Sequence, residues 1–465
     1  MPRSGFDTMP SRIWQSIFRH PYDGSKRARY LQTAANVFLH LHPVRISPAA
    51  VRFTYTWGLG GLSFFLFILL TISGAFLMFY YVPDSRRAYD DIKDLGFVVP
   101  FGQFLRNFHR WAGHAMVITV WLHMLRVFLT AAYKRPREFN WVIGVVALVA
   151  TLLLSFSGYL LPWDQIAFWA VTVGAGMATS TPGVGNFLQV LILGGSQVGQ
   201  NALLRFYVLH CLVLPLILAV LLGVHFWRVR KDGFSASVAG EKIDVWPHLV
   251  SREFLAALSA LLVLVVWSVV LDAPLQPLAD PHTTPNPAKA PWYFVGLQEM
   301  LVYFDPWVAG VLLPLIVIFG LAAMPYLDPN PRGIGVYCFA PRRWAVTAFL
   351  FGFGLWVVLI VIGLFFRGPG WTWYWPGESR AVAKVVRGDT WNLSLPAGVA
   401  LVGAYYGLGL YLPRRLQPET FASLSRARYA ALWMLALTML ALPLKMLLRL
   451  LFRVHYVLAT PWFRL

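Results

Sequence analysis

The sequence predicts an all-α fold of eight or nine transmembrane helices, a polytopic membrane protein, on three observations. Hydrophobic residues make up 58% of the 465 positions and charged residues only 13%. Mean hydropathy is +0.60, and charge-poor apolar stretches recur along the whole chain, most reaching the roughly 20 residues that a spanning helix needs. A soluble domain requires far more surface charge, and a disordered chain far fewer apolar residues. The two cysteines, Cys211 and Cys338, exclude a disulfide scaffold and any Cys-rich zinc or iron–sulfur site. No Cys-x-x-Cys-His occurs, so a c-type haem is not attached by that motif.

The stretches run, in order, over residues 53–83, 107–133, 139–163, 206–227, 254–271, 306–327, 344–366, 390–412 and 429–444, the last short. The net charge of +19 is spread over the connecting loops, which argues for a bilayer partner and against nucleic acid. With the N-terminus on the cytoplasmic side, loops on that side carry 23 Lys and Arg. Those opposite carry 10 ahead of the last stretch, an asymmetry that fits the positive-inside rule. The first 52 residues hold no apolar signal segment, and Ser11–His20 reads as an amphipathic surface helix. Four blocks follow: an N-terminal segment 1–52, a four-span bundle 53–235, a three-span part 236–366 with a Pro-rich loop from Asp272 to Trp307, and a C-terminal extension 367–465 with one or two further membrane helices. The extension opens with Trp371, Trp373, Tyr374 and Trp375, which suit the headgroup level.

Four histidines fall inside two of the spans: His109 and His123 in the second, His210 and His225 in the fourth. A spacing of 14 residues returns to nearly the same helix face, about 40° short, with a rise of about 21 Å. The spacing of 15 in the fourth span overshoots by about 60°, which a widened turn near Pro215 could absorb. Side by side, the two helices place two His–His pairs at two depths, as bis-histidine ligation of two stacked b-type haems requires. His114 lies about 140° from His109 and reads as a packing or hydrogen-bonded residue. Isolated buried histidines often only bond neighbouring helices. The glycines favour haem: Gly60 and Gly74 in the first span, Gly144 and Gly158 in the third, each pair again 14 apart. A flat porphyrin needs bare backbone at each depth.

These residues resemble the cytochrome b family of cytochrome bc and bf complexes. The resemblance runs through Phe108-His109-Arg110-Trp111, Leu122-His123, Lys134-Arg-Pro-Arg-Glu138, Gly158-Tyr-Leu-Leu-Pro-Trp-Asp-Gln165 and Arg205-Phe-Tyr-Val-Leu-His210. The 15-residue spacing and Trp163-Asp-Gln165 are similar to the bf branch, and residues 236–366 to that branch's separate subunit IV, here fused. The resemblance implies an outer haem on His109 and His210, an inner haem on His123 and His225, and Arg110, Arg126 and Arg230 as candidates for propionate contacts. It implies quinol oxidation near Trp163, Trp292 and Tyr293, quinone reduction near Arg230, and proton release outside. It also implies a Rieske iron–sulfur protein and a c-type cytochrome or equivalent acceptor as partners, a homodimeric complex, and an energy-transducing membrane such as the bacterial cytoplasmic one.

Two departures from the family pattern carry expectations. Gly58 stands where the bf branch has a cysteine that tethers a third haem, so no covalently attached haem is expected. Ala290-Pro291-Trp292-Tyr293 replaces Pro-Glu-Trp-Tyr, leaving the outer quinol site without its usual glutamate. Within the loop, Asp280, His282, Glu299 and Asp305 remain as proton acceptors. Glu299 is the candidate if a helix begins at Pro291, its other reading being an ion pair with an interfacial arginine. The competing functions are a di-haem anchor of a dehydrogenase or hydrogenase, which would not need the Pro-rich loop, and a transporter with structural histidines.

Overall fold

Nine helices among the described residues are long and apolar enough to cross a bilayer. The computed structural model describes residues 24–34, 39–236, 241–328, 330–381, 384, 389–422 and 424–465; the amphipathic helix expected at Ser11–His20 lies outside them. The spans are α1 (Leu59–Met78), α2 (Gly102–Leu129), α3 (Glu138–Leu160), α5 (Gln200–Asp232), α6 (Val245–Val270), α8 (Val308–Leu327), α9 (Ala340–Phe366), α10 (Leu395–Leu416) and α11 (Arg426–Phe452). Two shorter helices complete the set used below, α4 (Gln165–Thr179) and α7 (Trp292–Met300). The only sheet among the described residues pairs Arg45–Ile46 antiparallel with Ile243–Asp244.

The first four spans pack around Leu66, Phe108, Ala112, Met116, Ala150 and Leu218, with Leu264 of α6 closing the same cluster. Small residues such as Ala112 and Ala150 let helix backbones approach closely, which drives association where lipid removes the hydrophobic incentive. In α5 the turn Leu209–Val213 is a π-helix that contains His210 and leads directly into Pro215. A helical proline has no N–H to donate to the i−4 carbonyl and its ring clashes with that group; the extra residue of the π turn absorbs the mismatch. The widened turn expected from the 15-residue spacing is therefore present.

The four-span bundle and the following part are tied together at the end where α2 meets α3. Lys134 Nζ lies 3.1 Å from Asp328 Oδ2, and Tyr133 donates its hydroxyl to the same carboxylate at 2.5 Å. Arg342, only 2% exposed, donates to the Leu129 and Phe128 carbonyls, each at 2.9 Å. A buried charge network of this kind is viable because every charged head finds a partner.

The last span differs from its expected extent. Residues 429–444 grow to the full helix α11, because Lys445 is satisfied inside the protein. Its ammonium donates to the His455 carbonyl at 2.5 Å, provided by the tail that folds back after Arg453. That tail pairs with the segment before α10, Trp391 N donating to Arg453 O at 3.2 Å and Leu393 N to Tyr456 O at 3.0 Å.

Candidate functional site

The four histidines come together as two pairs. His109 of α2 faces His210 of α5 with ring centres 6.2 Å apart and planes at 81°. His123 faces His225 at 6.4 Å and 77°. A metal held between two imidazole nitrogens at bonds of about 2 Å each, with about 1 Å more from each nitrogen to its ring centre, needs ring centres about 6 Å apart. Both pairs meet that requirement, at two levels of the same two helices.

The tautomers also fit in the first pair. Ser73 donates its hydroxyl to the Leu69 carbonyl at 2.7 Å, so its oxygen accepts from His109 Nδ1 at 2.9 Å. His210 Nδ1 donates to the Leu154 carbonyl at 3.0 Å. With both Nδ1 atoms carrying hydrogen, the Nε2 lone pairs are free for a metal, the arrangement that outer-shell hydrogen bonds impose on ligating histidines. His225 Nδ1 is buried without a hydrogen-bond partner among the described residues.

Each predicted glycine stands against one of the rings. A Cβ on Gly74 would come 3.1 Å from His109 Cε1, and one on Gly60 3.1 Å from His123 Cε1. On Gly158 it would meet His210 Nδ1 at 2.9 Å with Cε1 closer still, whereas on Gly144 it would sit 3.8 Å from His225 Cε1. The glycines thus give clearance to the imidazoles themselves. No cluster of three or more His, Cys, Asp or Glu able to hold a metal ion occurs among the described residues, so a metal on either histidine pair would need further ligands from a bound group such as a porphyrin. Arg110 lies over the Tyr159 ring at 4.7 Å, and its Nε is buried with no partner among the described residues, a donor open to a carboxylate. Arg126 donates to the Tyr55 carbonyl at 3.1 Å, and Arg230 to the His40 carbonyl at 2.8 Å.

The loop residues assemble on the other side of α3. Trp163 is 7% exposed and holds a left-handed backbone, φ 50°. Its carbonyl accepts from Ala279 N at 3.2 Å, and Gln165 N donates to Pro277 O at 2.8 Å, so this turn is sewn to the Pro-rich loop. Asp164 caps α4 by accepting from Ala167 N at 2.9 Å. Helix α7 begins directly after Pro291, as expected. Its first residue, Trp292, donates its indole N–H to His114 Nδ1 at 2.7 Å, and the His114 and Tyr293 rings lie 6.0 Å apart. The sequence set His114 aside; its 2.7 Å bond to Trp292 depends on a fold that joins residues 178 positions apart.

Of the two readings for Glu299, the structure places it in the ion pair. The side chain is fully buried and its two oxygens accept from Arg367 Nη2 at 2.6 Å, Arg367 Nε at 2.9 Å, Tyr303 at 2.9 Å and the Trp371 indole at 2.9 Å. A carboxylate so fully occupied by donors has no site left for a quinol proton. Asp280 accepts from the Thr283 hydroxyl and the His282 amide, which hold its carboxyl below the usual range. The sequence contained both Glu299 and Arg367, but not their proximity.

Comparison with known proteins places this geometry. A family model described as "Cytochrome b/b6/petB" matches residues 45–233, and one described as "Cytochrome b(C-terminal)/b6/petD" matches residues 278–375. The chain is 44% identical over 177 residues to cytochrome b6 of Heliomicrobium gestii, covering 38% of this chain and 83% of that protein. Cytochrome b6 of Prochlorococcus marinus strain MIT 9303 shows the same identity over 177 residues and 81% of its length. A solved chain described as "Hyperthermophilic respiratory Complex III" shares the fold, with TM-score 0.62 and 24% identity over 73% of this chain and 90% of that one.

Proposed function

The chain belongs to the cytochrome b/b6 family, and on that premise we propose that its first four spans carry two b-type haems, one on His109 and His210 and the other on His123 and His225. It is an integral membrane protein and a cytochrome b subunit of a quinol-oxidising oxidoreductase. The single observation that carries the two-haem reading is the repeated ring separation, 6.2 and 6.4 Å, at two levels of one bundle.

Bound haem supplies a one-electron carrier at each level. The chain's own residues do the rest. Ser73 and the Leu154 carbonyl aim the His109 and His210 nitrogens inward. Arg110 offers its unpaired guanidinium N–H to a propionate, and Arg126 and Arg230 are the corresponding groups at the inner level. Trp163, Trp292 and Tyr293 line the outer quinol site, where His114 fixes the Trp292 indole and is the titratable group placed to exchange a proton. Glu299 acts as a positioning residue that ties α7 to Arg367. One quinol electron passes to a Rieske iron–sulfur protein and on to a c-type cytochrome or equivalent acceptor. The other crosses the membrane to reduce a quinone near Arg230. Proton release outside and uptake inside, with the N-terminus cytoplasmic, builds the gradient across an energy-transducing, bacterial cytoplasmic membrane. The complex is a homodimer.

The test is a redox difference spectrum and pyridine haemochrome assay on the purified complex, with expected stoichiometry of two haems b per chain. His109→Leu and His210→Leu should each remove the same haem, and His123→Leu and His225→Leu the other. A crossed pattern of losses overturns the pairing, and a protein without b-type bands overturns the function.

A further inference from the structure

The C-terminal hairpin of α10 and α11 lies beyond residue 375, where the second family match ends, and it contains a cavity of its own. This cavity, about 480 Å³, opens at the loop end of the hairpin between Arg414, Arg415 and Tyr411 of α10 and Arg426 and Tyr429 of α11, with Gly407 at its floor. Residues 407, 411, 414 and 415 recur at helical spacing and so share one face of α10. A Cβ on Gly407 would meet nothing within 4 Å, so the floor is open space.

The charge at this end is uncompensated. Cations suit the last turn of α10, where Arg414 and Arg415 lie. The same rule disfavours Arg426 and Arg428 in the first turn of α11, a helix of 27 residues with no acid in that turn. The only acid between residues 407 and 429 is Glu419, and it forms no ion pair with these arginines among the described residues. Arg414 is held in place 5.2 Å over the Tyr429 ring, and the Tyr429 hydroxyl donates to the Leu410 carbonyl at 2.8 Å. Arg414, Arg415 and Arg426 thus line one open groove at the start of α11, and guanidinium groups are matched to a phosphate. Beside it the surface of α10 is apolar and exposed: Leu408 and Leu412 are 54% and 43% exposed.

We propose that this cavity binds the phosphate of an anionic phospholipid, whose acyl chains run along the apolar faces of α10 and α11. Basic pockets between membrane helices recognise headgroups by this combination of fixed positive charge and adjacent hydrocarbon. The haem assignment plays no part in the argument.

The purified complex, washed in detergent, is returned to phosphatidylcholine nanodiscs with or without phosphatidylglycerol, and retained phosphatidylglycerol is counted per chain by mass spectrometry. Each arginine removed should weaken retention about fivefold, so R414Q/R415Q/R426Q should fall by about two orders of magnitude with the haem spectrum unchanged. If that triple variant does not assemble, R415Q and R426Q alone, both at exposed positions, should each show the fivefold loss. Retention equal to the parent protein in these variants overturns the proposal. A parallel arm adds millimolar inorganic phosphate: phosphatidylglycerol that stays bound supports a lipid site, and its full displacement shows a free-phosphate site instead.

Discussion

The two histidine pairs share four helices and nearly equal ring separations, yet they are built to different tolerances. In the His109–His210 pair both Nδ1 atoms are tied, to Ser73 and to the Leu154 carbonyl. In the other pair His225 Nδ1 is buried without a partner among the described residues. A Cβ on Gly158 would invade the His210 ring, while one on Gly144 would rest at ordinary contact distance from His225. His210 is held closely and His225 loosely, whereas His109 and His123 have the same clearance from their glycines. A hydrogen-bonded imidazole is the stronger donor to a metal, so haems held by the two proposed pairs should differ in potential, the one on His109 and His210 lower.

The largest effect on haem binding should come from the glycines. Gly158→Ala forces the His210 ring to move and should lower occupancy of that haem at least tenfold, whereas Gly144→Ala should leave both haems bound; haem-to-protein ratio and difference spectra decide it. Equal losses would break the comparison. Glu299→Gln is the control outside both pairs. It leaves Arg367 buried with a neutral partner and should cost up to about 3 to 5 kcal/mol of stability, seen as a lowered melting temperature with unchanged haem potentials.

His114→Phe should slow quinol oxidation about a hundredfold or more, as for a lost proton-transfer group, with both haem spectra intact. Unchanged turnover would remove His114 from the outer site. Ser73→Ala should raise the potential of the His109–His210 haem alone and weaken its retention by about tenfold, measured by redox titration. A shift in both haems would erase the distinction between the pairs.

The smallest effect concerns His42, outside the spans, whose ring meets Glu253 at 3.0 Å. Burial works against its charged form, but the hydrogen bond and charge of Glu253, with the Leu39 carbonyl, outweigh it and raise its pKa above 6.5. The contact therefore contributes fully below that value and is lost as pH rises through the raised one. Being partly exposed, it is worth less than about 1 kcal/mol. Melting temperature compared between His42→Gln and the parent protein should differ at pH 6 and converge at pH 8.

Much of this was readable before any coordinates. The 14-residue recurrence of histidines and glycines survives intact because helical periodicity converts spacing into shared faces without help from the rest of the fold. The 15-residue exception pointed to a widened turn, and Leu209–Val213 supplies it beside Pro215. The last apolar stretch stops at residue 444, ahead of Lys445 and Arg449, whereas the helix runs on to Phe452, with carbonyls of the returning tail accepting from Lys445. Nothing local in the sequence announces that tail.

What the sequence determined by itself was therefore everything set by composition and local periodicity: a membrane solvent, the spans, and which histidines share a depth. The tertiary structure decided which polar side chains meet. Glu299 finds Arg367 68 residues away, and Trp292 finds His114 178 residues away. Such partners are selected because an unpaired polar group buried in a low-dielectric interior costs more than the bond gains. That selection acts on proximity in space, which spacing along the chain does not encode beyond a single helix.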